Sequence, residues 1–322
     1  MKGCMNLSKQ PLFLKPVFQD RIWGGTALRD IFNYDIPTDK TGECWAISAH
    51  PNGMGIITNG EHAGKTLKEL WDNNRALFGN LEGKQFPLLT KILDANDDLS
   101  VQVHPNDEYA KVHENGELGK TECWYIIDCN EGAELVFGHN AQTTEEVRNM
   151  IENGKWSNFL RRVKIKAGDF FYVPSGTVHA LCKGTLVLET QQSSDTTYRL
   201  YDYDRTDDQG NKRELHLEKS IHAITSPFQD IETNIESCEE NGATITTYIK
   251  SEFFSVYKWN VHQEATFTQD KPFMLISVLN GEGILKHENE EYHVSKGMHF
   301  ILPAGFEDFS LIGKLELMTS HA

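Results

Sequence analysis

The sequence of 322 residues has no long hydrophobic run and few cysteines. Nowhere do about 18 apolar residues follow one another, so we expect no membrane-spanning helix. The first ten residues contain no apolar segment of signal-peptide length, and we predict a soluble, cytoplasmic protein. The cysteines show no CxxC spacing, which favours reduced thiols over a disulfide framework; they are Cys4, Cys44, Cys123, Cys129, Cys182 and Cys238.

The sequence also has no block of basic residues. It contains 31 Lys and Arg against 47 Asp and Glu, a formal net charge of -16. Without a run of Lys and Arg there is no footprint for a phosphate backbone, and we predict no nucleic-acid partner. An anionic small molecule would be repelled by the protein as a whole. A site for one therefore needs its own local cluster of Lys and Arg.

Helical patterns are scarce, whereas short strand patterns are frequent. Residues 143–146 (TTEE) fit a capping box, and residues 66–71 and 220–224 are weaker helix candidates. Alternating or β-branched segments predict strands at residues 100–104, 122–127, 170–173, 185–189, 273–279 and 298–302. Many strands with few helices predict a mainly β fold.

A repeated frame indicates two related halves. Gly168 to His179 has the form G-x5-P-x-G-x2-H, and Gly297 to Asp308 has the form G-x5-P-x-G-x2-D. In each frame a glycine turn leads into a strand, and Pro-x-Gly turns the chain back. We therefore predict two β-barrels, with domains at residues 1–235 and 236–322. The polar residues 202–213 are predicted to form an exposed loop before the boundary.

Three residues in the first half have the pattern of a metal site. His104 lies two residues after Gln102, so on a strand both side chains face the same side. His179 begins the strand after its Pro-Gly turn, and Glu122 begins another. Two imidazoles and one carboxylate are typical of catalytic zinc, although Mn, Co, Ni or Fe accept the same set. Gln102 is either a fourth ligand or a hydrogen-bond partner of the substrate.

Several motifs in this half are familiar. They resemble, in family order, the type I mannose-6-phosphate isomerases, and the similarity runs from about residue 11 to about residue 204. The short bacterial form, which lacks a large helical insertion, is the most similar. The motifs are residues 21–25 (RIWGG), 42–45 (GECW), 86–91 (FPLLTK), 102–106 (QVHPN), 120–122 (KTE), 173–180 (VPSGTVHA) and 198–199 (YR).

The resemblance implies a double cupin of two jelly-roll barrels and one Zn2+ per chain. It implies interconversion of mannose 6-phosphate and fructose 6-phosphate, so that a sugar phosphate is the expected partner. Residues 1–235 would then be the catalytic domain. In residues 236–322, Asp308 takes the place of the histidine in the first frame, which implies a metal-free domain. The implied site consists of the ligands His104, Glu122 and His179, the further ligand position Gln102, the catalytic Arg199, and the pocket residues Lys91, Lys120 and Glu189.

Elementary chemistry limits what these residues do in an aldose–ketose isomerisation. A guanidinium stays protonated, so Arg199 would stabilise an enediolate or bind phosphate rather than act as a base. Lys91 and Lys120 are candidates for phosphate binding, or Lys120 instead pairs with a surface carboxylate. Glu189 is a candidate proton carrier, and His50 is a more speculative one. Arg199 could alternatively brace residues 202–205.

Three other functions fit parts of this pattern. A cupin metal oxygenase uses a similar ligand set, and oxygen uptake would distinguish it. A non-catalytic sugar-binding cupin would have lost His104, Glu122 or His179, and all three are present. A metal-free sugar-nucleotide epimerase of similar fold would lack the aligned Glu122.

Overall fold

The computed structural model describes residues 10–207 and 209–322, so Cys4 lies outside the described residues. The described part of the chain contains 21 strands in three antiparallel sheets. The first thirteen are β1 (Leu12–Lys15), β2 (Val17–Gly25), β3 (Thr41–Ile47), β4 (Ile56–Ile57), β5 (Leu88–Ala95), β6 (Val101–Val103), β7 (Glu122–Cys129), β8 (Glu134–His139), β9 (Leu160–Lys164), β10 (Phe170–Val173), β11 (His179–Leu181), β12 (Thr185–Gln192) and β13 (Tyr198–Tyr201). The others are β14 (Glu236–Glu240), β15 (Ala243–Lys250), β16 (Ser255–Val261), β17 (Glu264–Gln269), β18 (Phe273–His287), β19 (Glu290–Ser295), β20 (His299–Pro303) and β21 (Glu307–His321).

The α-helices are short, and none of the described helices is long and apolar enough to cross a membrane. They are α1 (Ala27–Phe32), α2 (Leu67–Asn73), α3 (Asp107–His113), α4 (Thr144–Glu152), α5 (Trp156–Phe159) and α6 (Leu217–Ala223). The full capping box is at α2, where the Thr66 side chain accepts from the Glu69 amide and Glu69 accepts from the Thr66 amide. At α4 only half of the predicted capping box forms. The Thr143 side chain accepts from the Glu146 amide, but the Glu146 carboxylate accepts from the amide of Gln142 rather than from that of Thr143.

The sheets are stacked so that the middle one is covered on both faces. The five-stranded sheet (order β13-β6-β11-β8-β9) and the six-stranded sheet (order β10-β7-β12-β5-β3-β2) share one hydrophobic core. The other face of the six-stranded sheet shares a second core with the ten-stranded sheet. As a result β5 and β12 are buried along their whole length, including their polar residues.

The mainly β prediction is confirmed, but closed barrels are not observed. In the six-stranded sheet β10 pairs only with β7 and β2 only with β3, so the described strands leave two open edges. The described residues therefore form open sheets packed face to face.

The ten-stranded sheet combines both ends of the chain. It contains β14 to β21 together with β1 and β4, and Leu12 of β1 lies opposite Ile301 of β20. The eight strands from residues 236–322 are thus joined in one sheet by two strands from the N-terminal region. The domain boundary between residues 235 and 236 stays a prediction.

The predicted repeat is present in the backbone. Gly168 and Gly297 precede β10 and β20 with φ of 91° and 86°, in the left-handed region that favours glycine. Asp308, the counterpart of His179, lies on the exposed part of β21 and accepts a 2.6 Å hydrogen bond from Thr268. The metal-free character of the C-terminal half stays a prediction. The five described cysteines are free thiols, as predicted.

Candidate metal centre

Strand termini bring His104, Glu122 and His179 to one point. Glu122 begins β7, His179 begins β11, and His104 directly follows β6. One ligand atom from each lies within 4.8 Å of the others. Glu122 Oε2 is 3.4 Å from His104 Nε2, and Glu122 Oε1 is 3.4 Å from His179 Nε2. The predicted ligand set is therefore assembled in space; its binding of a metal stays a proposal.

Hydrogen bonds hold both imidazoles in one orientation. His104 Nδ1 is 2.8 Å from the carbonyl oxygen of Thr196, and His179 Nδ1 is 2.8 Å from that of Thr177. Each Nδ1 donates to its carbonyl, which leaves the Nε2 lone pair directed towards Glu122. Burial, assisted by the charge of Lys120, lowers the pKa of His104 to about 3. The imidazole is neutral at pH 7, the form that binds metals.

Three polar atoms of this centre lack a hydrogen-bond partner in the described part of the chain. His104 Nε2 and both carboxylate oxygens of Glu122 are buried without a hydrogen bond among the described residues. Lys120 Nζ is 3.0 Å from Glu122 Oε2, an ion pair without hydrogen-bond geometry. Burial alone would raise the pKa of Glu122, but the charge of Lys120, followed by the contact with His104, holds it well below its usual range. Unpartnered buried donor atoms that converge on one point fit a divalent cation.

Gln102 adjoins the two histidines, as predicted from its spacing. Its Nε2 lies 3.3 Å from His179 Nε2, and residue 102 pairs with residue 179 across β6 and β11. Because the side chain also lines the neighbouring cavity, both predicted roles, fourth ligand and substrate contact, stay open.

A cavity of about 330 Å³ adjoins the centre through Gln102 and Lys120. Its wall is unusually rich in charge for a protein of net charge -16, with more cations than anions. The predicted pocket residues all face it. His50 is not among the lining residues; it is buried, and its Nδ1 accepts from the amide of Asn52. The charged lining residues are Arg21, Lys91, Lys120, Arg199, Arg213, Glu43, Glu189 and Asp195.

Lys120 lies beside Glu122 although it is not on a strand. It precedes β7, and its amide donates a 3.0 Å hydrogen bond to the carbonyl of Pro105. The alternative of a surface carboxylate partner is wrong, since the 3.0 Å partner, Glu122, is fully buried. Burial opposes the charge of Lys120, but Glu122 and Glu189 raise its pKa above the usual value. The ammonium is therefore charged throughout the neutral range.

Lys91 lies between two buried carboxylates. It is opposite Glu189 across β5 and β12, with Nζ 3.8 Å from Glu189 Oε1 and 3.9 Å from Glu43 Oε2. Burial alone would raise the pKa of Glu43, but the charges of Lys91 and Arg21 lower it to about 2. Glu43 was not predicted as a site residue. Its position in the motif of residues 42–45 was the one feature of the sequence that could have indicated a role in the site.

The pKa of Glu189 is shifted in the opposite direction from that of Glu43. Its Oε2 accepts a 3.0 Å hydrogen bond from Trp124 Nε1, in a fully buried position on β12. Burial and the charge of Glu122 raise the pKa of Glu189 to about 7, despite the opposing charges of Lys120 and Lys91. A carboxyl group with this pKa gains and loses a proton near neutral pH.

Glu189→Gln should make the metal-free protein more stable at alkaline pH. A carboxyl whose pKa is raised on folding stabilises the protein below its unfolded pKa, and this contribution is lost as pH rises through about 7. The advantage of the variant over wild type should grow by about 2 to 3 kcal/mol from pH 5 to pH 8. Urea unfolding of chelator-treated protein measures it. Exposed Glu145→Gln should follow wild type, and a pH-independent difference for Glu189→Gln would contradict the assignment.

Arg199 faces the cavity from β13 and is held by neutral groups. Its Nε donates to Ser100 Oγ at 3.2 Å and its Nη1 to the carbonyl of Glu214 at 2.9 Å. The alternative that Arg199 braces residues 202–205 is wrong. Arg205 and Arg213 do so, because both donate to the carboxylate of Asp202.

The prediction of an exposed loop at residues 202–213 is partly wrong. Asp202 is buried, since its carboxylate is satisfied by two guanidinium groups. Arg213 lines the cavity, whereas Lys212 is exposed and pairs with Asp204. The polar composition gave no signal that one residue of this segment turns inwards.

Comparisons with known proteins identify the family. Residues 12–145 match the family described as phosphomannose isomerase type I, catalytic domain, and residues 244–322 match mannose-6-phosphate isomerase, cupin domain. A probable mannose-6-phosphate isomerase of Bacillus subtilis is 58% identical over 97% of this chain and 99% of its own length. A mannose-6-phosphate isomerase of Streptococcus mutans is 51% identical over 97% of this chain and 98% of its own length.

Solved structures give the same result. The crystal structure of the Bacillus subtilis mannose 6-phosphate isomerase has a TM-score of 0.96 and 55% identity, covering 97% of this chain and 99% of that one. A phosphomannose isomerase variant from Salmonella typhimurium, with a TM-score of 0.80 at 15% identity, shares the fold.

The sheets and the two family matches define a cupin-domain isomerase. Its candidate metal site is the buried His/Glu/His group beside the charged cavity. The chain belongs to the type I mannose-6-phosphate isomerase family. The predicted family and the predicted class, an aldose–ketose isomerase, are confirmed. The oxygenase, non-catalytic and epimerase interpretations are set aside.

Proposed function

We propose that the protein interconverts mannose 6-phosphate and fructose 6-phosphate with one zinc ion per chain. The proton would move between C2 and C1 of the open-chain sugar through an enediol or enediolate. The observation that carries this proposal is the convergence of His104, Glu122 and His179 beside a cation-rich cavity, with His104 Nε2 and both Glu122 oxygens buried without a hydrogen bond among the described residues. When bound there, a zinc ion supplies Lewis-acid polarisation of the sugar oxygens.

In this proposal Glu189 holds and returns the migrating proton. Three features support the choice: burial, a pKa near 7, and a fixed orientation through Trp124. Lys91, 3.8 Å away, stabilises the carboxylate form when the proton is lost, so that transfer in either direction costs little.

The cations of the cavity would stabilise negative charge that develops on the sugar. Arg199 is suited to an enediolate oxygen, because its bonds to Ser100 and Glu214 leave Nη2 without a partner among the described residues. Lys120, already beside Glu122, is suited to a sugar hydroxyl, and its predicted contact with phosphate, like that of Lys91, stays a proposal. Gln102 would orient the sugar or complete the metal ligands.

Removing the metal tests this function directly. Treatment with a chelator should abolish turnover of mannose 6-phosphate to fructose 6-phosphate, and added zinc should restore it. Unfolding curves before and after chelation check that the fold persists, and parallel additions of manganese and cobalt test the preference for zinc. Zinc-loaded protein without turnover would contradict the isomerase, and full turnover after verified metal removal would contradict the metal requirement.

A further inference from the structure

Arg213 lines the cavity but has no part in the proposed proton transfer. Its Nε and Nη2 donate to the two carboxylate oxygens of Asp202, at 2.8 and 2.5 Å. This two-point pairing fixes the plane of the guanidinium. Nη1 has no hydrogen-bond partner among the residues that the structure describes. Arg213 is thus a rigidly held cation with two unused N–H donors at the cavity.

Hydrogen bonds join the segment that contains Arg213 to Arg199. The carbonyl of Glu214 accepts from the Arg199 side chain, and the amide of His216 donates to the Arg199 carbonyl at 2.8 Å. His216 Nδ1 also accepts from the Arg199 amide at 3.2 Å. Burial and then the charge of Arg213 lower the pKa of Arg199, as expected for two neighbouring guanidiniums. The two arginines therefore keep a fixed relative position.

Positive charge is left unneutralised at this end of the cavity. Asp202 is shared by Arg205 and Arg213, and Arg205 also lies 3.7 Å from a carboxylate oxygen of Asp97. Arg199 has no carboxylate within ion-pair distance among the described residues. By contrast, Lys120 is 3.0 Å from Glu122, and Lys91 is 3.8 Å from Glu189. Arg199, Arg205 and Arg213 thus have two partner carboxylates between them, and a planar guanidinium with unused N–H donors at the cavity suits a phosphate dianion.

We propose that Arg213, positioned by Asp202, binds the phosphate group of the sugar phosphate. The inference rests on the proposed function and deepens it, since it assigns the end of the cavity at which the phosphate is held. It makes Arg213 a determinant of the preference for phosphorylated over unphosphorylated hexoses.

The test compares Arg213→Ala and Arg213→Lys with wild type. We expect Arg213→Ala to raise KM for mannose 6-phosphate about 10- to 100-fold, the range for a lost charge-assisted hydrogen bond, while kcat falls less. The dissociation constant of inorganic phosphate, measured by calorimetry on zinc-loaded protein, should rise by a similar factor. Arg213→Lys keeps the charge without the two-point pairing and should be intermediate.

Lys212→Gln is the matched control, because it removes a cation from the same segment at an exposed position. An unchanged KM and phosphate affinity in Arg213→Ala would overturn the inference, as would an equal loss in Lys212→Gln. Melting curves check folding; if Arg213→Ala does not fold, the same readouts on Arg213→Lys decide. If the wild-type protein binds phosphate but does not isomerise the sugar, the proposed function is refuted and the inference is not. In that case the phosphate affinities measured by calorimetry still decide the role of Arg213.

Discussion

His104→Ala is expected to lose the bound metal and at least roughly 1,000-fold in turnover, since a catalytic metal supplies several kcal/mol of charge stabilisation. The imidazole is neutral and held by the carbonyl of Thr196, with Nε2 facing Glu122. Alanine leaves only Glu122 and His179 of the three-residue centre. Elemental analysis of the purified variant measures metal content, and conversion of mannose 6-phosphate to fructose 6-phosphate measures turnover.

His222→Ala controls for the removal of a histidine as such. His222 is exposed in the last turn of α6 and lies outside the His/Glu/His group. It should keep wild-type metal content and turnover. One equivalent of metal retained by purified His104→Ala would show that His104 is not a required ligand.

Arg199→Ala is expected to keep the metal and to lose about 100- to 1,000-fold in kcat, the range for loss of one preorganised donor to a developing oxyanion. Metal content should not change because Arg199 contacts Ser100 and the carbonyl of Glu214 rather than the His/Glu/His group. Steady-state kinetics on a variant of known zinc content make the comparison.

Arg199→Lys separates charge from geometry. The lysine retains the positive charge but not the planar fork, and we expect it to recover only part of the loss in kcat. Arg205→Lys, in the neighbouring segment, tests whether any change of an arginine there has the same effect. Normal kcat in metal-loaded Arg199→Ala would show that the proposed role of Arg199 is wrong.

Local sequence patterns predicted the strands that carry the metal centre. The glycine frame specifies a turn, a strand and a second turn in consecutive residues, and it places His179 at the start of β11 without any long-range information. Glu122 begins β7 for a similar local reason. Strand spacing predicted the metal-site residues, whereas Arg199 and the pocket residues came from motif similarity. The structure brings Arg199 and the pocket residues to one cavity beside the His/Glu/His group.

The parts that were not predicted depend on contacts between distant segments. Glu43 is buried by the stacking of sheets and paired with Lys91, and neither its burial nor this pairing has a local pattern. Asp202 lies in a polar segment, and its burial follows from two arginines that reach it from the same segment. A hydrophilic segment is predicted to be exposed, because a charged residue is buried only when it is paired, and this pairing has no local sequence pattern.

The pairing of β1 with β20 has a consequence for how the chain acquires its structure. Leu12 can pair with Ile301 only after all of the chain between them has been made. Contacts of such sequence separation raise the contact order and slow folding, because a very large loop must close first. Until then the backbone of β20 has an unpaired edge on that side, open to association with other chains. We therefore expect the pairing of β1 with β20 to be a late event in folding.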